Sequence, residues 1–340
     1  MLVHHSRASS GHTPPTFFRR GKIIPHPENV ERYVVLRDAL SAAGFPLTEA
    51  RDHGLAPLAA VHTNKYLDFL QGAWARRAEI DPATEEILPT QFARLQMNRE
   101  PTGVIGLLGY YMADTSTAIR HDTWKAVLGS AHAAATAADT AMKEGAAYAL
   151  CRPPGHHAYA NCAGGFCYVN NTAVAAQRLN AGLRARVAIV DIDVHHGNGT
   201  QGIFYERADV LTVSIHADTS NYFPFYAGYA DETGAGEGLG FNCNLPLPHG
   251  SGDPVFLRAL DEGLARVSRF EPAAIVIALG LDASEHDPIG ALKVTTDGFA
   301  RAARAIASLQ LPTAIVQEGG YLCPALPVNL VAFLRAFDTG

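Results

Sequence analysis

The chain of 340 residues has no Cys-x2-Cys pair and no run of lysine and arginine long enough to form a basic stripe. Nor does it contain an uninterrupted apolar stretch of about 18 residues, the length that spans a bilayer. Each absence removes a class of function. Without the apolar stretch no membrane partner is expected, and 27 Lys+Arg against 33 Asp+Glu, a net charge of -6, argues against a nucleic-acid partner. Cys151, Cys162, Cys167, Cys243 and Cys323 are odd in number and sparse, which suits reduced thiols better than a disulfide framework or a zinc finger. The start, Met1-Leu2-Val3-His4-His5-Ser6-Arg7, lacks the basic and then apolar segments of an export signal, so the expected location is the cytoplasm. The 31 Gly and 20 Pro are too few for low-complexity sequence.

What is present is ample apolar material, 48% hydrophobic against 18% charged, enough for a large buried core. From about residue 125 onward, short β-branched runs alternate with Ala-rich stretches of helical period, the grammar of an α/β fold. The expected strands are Val187 to Val190, Val210 to Ile215, Ala274 to Leu279 and Thr313 to Val316. Each is nearly all apolar without strict alternation, as in strands buried on both faces. Helices are expected at Asn171 to Ala181, Pro254 to Phe270 and Thr296 to Leu309. Together they give at least four β/α units in one central, mostly parallel sheet flanked by helices on both faces. Ala75 to Trp124 has Pro82, Pro89 and Pro101, mixed charges and no sustained period; it reads as a functional loop or interface arm inserted into a single domain over residues 1–340. Gly228 to Gly240, with five glycines, reads as a second, flexible loop.

The chemistry-bearing residues follow the strands. Val190-Asp191-Ile192-Asp193-Val194-His195-His196-Gly197-Asn198-Gly199 begins at the end of an apolar strand, where open α/β sheets bind ligands. Asp193 and His195, two apart, point to one side of an extended segment and would offer an oxygen and a nitrogen to one ion. Alone, this would more often be a polar loop with a capping Asn and a glycine turn. Leu279-Gly280-Leu281-Asp282 changes the balance by placing another carboxylate past another strand. Asp193, His195 and Asp282 could then hold a metal with positions left open, as a catalytic zinc requires; two carboxylates and one imidazole would also accept Fe2+ or Co2+. Arg152-Pro153-Pro154-Gly155-His156-His157-Ala158 presents adjacent histidines on a rigid turn, with Asp191 and Asn198 as candidate orienting partners. Glu318-Gly319-Gly320-Tyr321 sets a tyrosine on a glycine hinge, where its hydroxyl could meet an oxyanion or, equally, pack in a surface turn.

These segments, together with His26-Pro27-Glu28, Val61 to Leu67 and Gly164-Gly165-Phe166-Cys167, resemble the arginase-deacetylase superfamily, and within it the zinc-dependent histone deacetylase-like amidohydrolases. The resemblance implies that fold and assigns the metal to Asp193, His195 and Asp282, the tandem histidines to His156 and His157, and the carbonyl-polarising tyrosine to Tyr321. It places Asp191 and Ser214 at a structural potassium ion, and Gly165, Phe166, Phe223 and Ile289 at a substrate tunnel. Asn198 stands where the eukaryotic class I enzymes have an Asp, so the charge state of His157 should differ from theirs.

Among the relatives, the chain is most similar to bacterial acetylpolyamine amidohydrolases, including a long insertion before Trp124. That likeness implies a homodimer, with acidic residues at the tunnel mouth receiving the substrate's distal ammonium. The matching positions near Ile105 and Ser116 are not acidic here; Glu85, Glu86, Glu100 and Asp114 are the carboxylates close by. The expected reaction is hydrolysis of small cationic N-acetyl amines such as acetylpolyamines. A protein or peptide lysine deacetylase, a broader small-amide hydrolase and a non-catalytic acyl-ligand sensor are the rivals. The presence of all three ligands, both histidines and Tyr321 disfavours the sensor, and a one-metal set disfavours a ureohydrolase.

Overall fold

The computed structural model describes residues 1–94 and 96–340; Leu95, inside the expected insertion, lies outside them. Its strands are β1 (Leu2–His5), β2 (Thr16–Arg19), β3 (Lys22–Pro25), β4 (Leu47–Glu49), β5 (Ala146–Leu150), β6 (Val187–Asp191), β7 (Val210–Ala217), β8 (Asn242–Leu247), β9 (Ala274–Leu279) and β10 (Thr313–Gln317). Eight of them form one sheet in the order β4-β1-β5-β10-β9-β6-β7-β8, and every ladder in it is parallel. The other two, β2 and β3, pair antiparallel as a separate hairpin.

The helices are α1 (Val30–Ala42), α2 (Ala56–Ala59), α3 (Asn64–Gly72), α4 (Val104–Tyr111), α5 (Thr123–Glu144), α6 (Asn171–Leu183), α7 (Asn198–Phe204), α8 (Asp253–Phe270), α9 (Thr296–Ala307) and α10 (Ala325–Thr339). They coat both faces because the strands have two apolar faces to cover. In β9, Ile275, Ile277 and Leu279 pack among side chains of α1, α8, α9 and α10, while Ala274 and Val276 pack among those of α3 to α6. This alternation is the pleat itself, with successive side chains directed to opposite layers. Removing one such anchor, as in Ile277→Ala, would cost about 2 to 5 kcal/mol through lost burial and a cavity.

All four expected strands are present, as are the three expected helices. The sheet is larger than expected because β1, β4, β5 and β8 have weak signals: two histidines in β1, three alanines in β5, a proline in β8. The segment from Ala75 to Trp124 is partly packed into the core. It contains α4, whose two turns are too short to show a period, and it sends Ile87, Leu107, Leu108, Tyr111 and Ile119 into the core. Gly228, at the start of the second glycine-rich loop, is anchored: its carbonyl accepts from His216 Nε2 at 2.9 Å and its N–H donates to Glu232 at 2.8 Å.

Candidate active site

Four neighbouring strands, β5, β10, β9 and β6, deliver the polar residues at their carboxyl ends. Asp193 and His195 follow β6, Asp282 follows β9, Tyr321 follows β10, and the turn with His156 and His157 follows β5. One carboxylate oxygen each from Asp193 and Asp282 and one ring nitrogen of His195 lie within 4.8 Å of one another. His195 Nδ1 is 3.1 Å from Asp193 Oδ1 and 3.2 Å from Asp282 Oδ2.

Backbone donors hold these carboxylates in place. Asp193 accepts from the N–H groups of His195 and Gly319, and Asp282 Oδ1 accepts from Val194. Two glycines permit the approach: a Cβ on Gly280 would stand 2.2 Å from Asp193 Oδ2, and one on Gly319 would stand 2.0 Å from Asp282 Oδ2. The second oxygen of Asp282 is buried without a well-formed hydrogen bond. Burial and repulsion from Asp193 both push the Asp282 carboxyl up. Two fully buried carboxylates beside one imidazole, with one oxygen left over, make a donor set that fits a divalent cation.

The tandem histidines occupy contrasting surroundings. His156 Nδ1 lies 2.9 Å from Asp191 Oδ2, and His157 Nδ1 lies 2.7 Å from Asn198 Oδ1. Burial opposes the charged form of His156, yet the carboxylates of Asp193 and Asp191 outweigh it and raise its pKa to about 10. Burial holds His157 well below the ordinary histidine range, and neighbouring His156 and His195 add to the effect. A charged ring therefore stands beside a neutral one. With Asn198 accepting from His157 Nδ1–H, the Nε2 lone pair is left free as a proton acceptor. Burial also keeps the Tyr321 phenol protonated, and its ring packs 4.8 Å from the Arg32 guanidinium.

Above these groups opens a cavity of about 290 Å³ whose lining includes His157, His195 and Tyr321. The four expected tunnel residues, Gly165, Phe166, Phe223 and Ile289, all line it. Gly165 has φ +56°, and a Cβ there would stand 2.5 Å from the His157 ring and 2.9 Å from Phe223. The lining also includes residues that the sequence did not single out. Tyr222 stacks on His195 at 4.8 Å and 7°, and the hairpin contributes Phe17, Phe18, Arg19 and Arg20. A hydrophobic pair followed by two arginines carries no motif, so only the placement of the hairpin reveals them.

Of the candidate gate carboxylates, Asp114 reaches the lining. Its oxygens accept from Ser116 N, Ser116 Oγ and Gly165 N. Glu85, Glu86 and Glu100 are not brought there: Glu100 pairs with Lys65 and accepts from Tyr111, and Glu85 lies 3.3 Å from Arg120. Ile105 is exposed on α4, and Ser116 lines the cavity.

Residues 26–337 match the histone deacetylase domain family. The chain belongs to that family. It is 46% identical over 343 residues to an acetylpolyamine amidohydrolase of Burkholderia pseudomallei, covering 99% of this chain and 98% of that one. A second relative, acetylpolyamine amidohydrolase 1 of Pseudomonas aeruginosa, is 45% identical over 85% of this chain and 84% of its own length. The crystal structure of an acetylpolyamine aminohydrolase from Burkholderia pseudomallei superposes with a TM-score of 0.95 at 45% identity, covering 99% of this chain and 98% of that one. This histone deacetylase family member thus has the arginase-deacetylase fold and is an enzyme of the deacetylase and amidohydrolase type.

Proposed function

We propose that this enzyme hydrolyses small, slender N-acetyl amines, acetylpolyamines among them, to acetate and the free amine. The carrying observation is the convergence of Asp193, His195 and Asp282 at the foot of an apolar cavity that also exposes His157 and Tyr321. The ion those three residues would hold is Zn2+, with Fe2+ or Co2+ as alternatives, and it supplies Lewis acidity toward water and the scissile carbonyl. His157 Nε2 takes the proton of the attacking water and passes it to the leaving amine. His156, kept charged by Asp191 and Asp193, stabilises negative charge without moving a proton. Tyr321 donates a hydrogen bond to the carbonyl oxygen as it becomes an oxyanion. Phe166, Phe223 and Ile289 form walls that exclude bulky acyl groups and bulk water.

Asp191 and Ser214 are register partners on β6 and β7, and the proposal retains them as oxygen donors near a potassium ion. The proposal also retains a homodimer formed through the segment at residues 75–124, where Ile80, Met97 and Ile105 are exposed and a second copy could cover them. Light scattering on the chain with and without changes at these positions tests it. No described helix is long and apolar enough to cross a membrane. Five unpaired cysteines agree with the proposed cytoplasmic location.

The substrate assignment is tested by a turnover panel of acetylputrescine, acetylcadaverine, acetylspermidine, a neutral acetamide of equal length and an acetyl-lysine peptide. The expected ranking puts the small amines above the peptide. A peptide turned over faster than every small amine would replace this assignment with the lysine deacetylase reading.

A further inference from the structure

The mechanism above makes no use of Glu318, yet this carboxylate is fully buried and sits between the two loops that carry His157 and Tyr321. Its Oε2 accepts from the backbone N–H groups of Gly155 at 2.5 Å and His156 at 3.0 Å. Its Oε1 accepts from the Thr172 hydroxyl at 2.6 Å, in the first turn of α6. These contacts cross from the end of β10 to the turn after β5 and to a helix that packs on the sheet. Pro153 and Pro154 contribute no N–H; the Pro153 carbonyl accepts from Ser130 Oγ and Asn171 Nδ2, so the first backbone N–H groups of the turn are those of Gly155 and His156, and both go to Glu318. Consecutive N–H groups that converge on one acceptor make a nest suited to a carboxylate.

Glu318 also begins the segment that ends in Tyr321, and that segment is anchored at each step. The Glu318 N–H donates to Leu279 O and the Gly319 N–H to Asp193 Oδ2. The Gly320 carbonyl accepts from Arg32 Nε, and the Tyr321 N–H donates to Asp287 Oδ2. A displacement of the Glu318 carboxylate would therefore be felt at the tandem histidines, while the backbone leading to Tyr321 keeps its own supports. Since Gly155 must approach closely enough that a Cβ would stand 2.3 Å from Asn171 N, the turn lies tight against the start of α6, where Asn171 Nδ2 also donates to Pro153 O.

We propose that Glu318 is a positioning residue for the tandem histidines, holding the Gly155-His156 backbone against α6 so that His157 Nε2 faces the reacting centre. Its role is geometric: it touches neither substrate nor the metal ligands' side chains, and it acts through the backbone of the turn. The inference rests on the amidohydrolase reading, which the wild-type enzyme tests separately; no turnover by the wild type refutes that reading, whereas an effect confined to the variants speaks to Glu318.

The test compares Glu318→Ala and Glu318→Gln, with metal content, kcat, KM and the pH profile measured for each. Glu318→Ala should keep its metal and lose about 100-fold in kcat with little change in KM, the scale expected for misplacing a reacting group by about 1 Å. Glu318→Gln preserves an acceptor for the two N–H groups and a donor for the Thr172 oxygen. It should return to within about threefold of wild type with the same pH profile, because geometry is retained while charge is lost. Thr172→Val, which removes one arm of the clamp and preserves side-chain volume, should lower kcat by about three- to tenfold and serves if Glu318→Ala does not fold. Full kcat in Glu318→Ala would overturn the proposal. So would a Gln variant as deficient as Ala with a displaced acidic limb, since that result assigns the effect to charge.

Discussion

At the foot of the cavity, each side chain proposed to react follows the end of a strand in the central sheet, and neighbouring backbone N–H groups fix the carboxylates there. At the mouth, Phe17, Phe18, Arg19 and Arg20 stand on the β2–β3 hairpin, which forms a sheet of its own. The foot is buried and charge-dense, and its geometry is set by parallel pairing across four strands. The mouth is partly exposed, mostly aromatic, and mixed in charge, with two arginines near one carboxylate that already accepts three hydrogen bonds. The difference teaches where each property resides. The proposed function assigns reaction type to the sheet and choice of amine to the attachments around it.

The largest effect that separates the two regions is expected at the foot. Tyr321→Phe deletes one oxygen and leaves the ligands intact, so the protein should bind metal normally and lose about 100-fold or more in turnover for every substrate. Unequal losses across the substrate panel would mean that Tyr321 contributes to selection as well, and the division of labour would fail.

Acid should expose a second contrast, between the rigid interior and the solvated rim. Burial lowers His62 to about 4 and His12 to about 3. His62 Nε2 accepts from Asn170 N–H at 2.9 Å, an arrangement that requires the neutral ring. In the unfolded chain both rings bind protons near 6.5, so below that pH the unfolded state binds more protons than the folded one. The stability they contribute is fully present above pH 6.5 and is lost as pH falls toward 4 and then 3. Each contributes a slope of about 1.4 kcal/mol per pH unit within its window. Urea midpoints measured from pH 7 to pH 4 check this, and His62→Gln should flatten the dependence. An unchanged slope in that variant would show that the group does not control it.

The smallest effect is expected at the mouth. Arg19 and Arg20 oppose a distal ammonium, so the double change Arg19→Gln with Arg20→Gln should raise kcat/KM for acetylcadaverine relative to a neutral acetamide of equal length. Exposed charges of this kind contribute only about 0.2 to 1 kcal/mol, or at most about fivefold, and the gain should shrink in high salt. A much larger, salt-insensitive change would place the ammonium in a desolvated site and move part of the specificity inward.

This contrast also explains what could be read from the residues. The strands Val187 to Val190 and Ala274 to Leu279 are legible because burial on both faces leaves them almost wholly apolar, and the candidate ligands Asp193, His195 and Asp282 lie just past the ends of those runs. The tunnel residues came from family resemblance, and the cavity includes all four. By contrast, the hairpin's place at the cavity and the clamp by Glu318 depend on contacts between distant parts of the chain, and α4 is too short to show a period. Glu318 meets Gly155 across 163 positions, a separation that no local period or spacing reports. Tyr222 was hidden for the same reason, since an aromatic after a polar loop is indistinguishable from a packing residue until His195 is seen beneath it.

The central claim is that turnover depends on one divalent ion held by Asp193, His195 and Asp282. The most direct measurement is a metal titration of chelated protein, following release of acetate from acetylcadaverine for the wild type and for Asp282→Ala. Turnover should be lost on chelation and restored to a plateau at about one equivalent per chain in the wild type, while Asp282→Ala binds metal weakly and recovers little. Turnover that survives complete removal of metal, or full recovery of Asp282→Ala at the same equivalence point, would contradict the account.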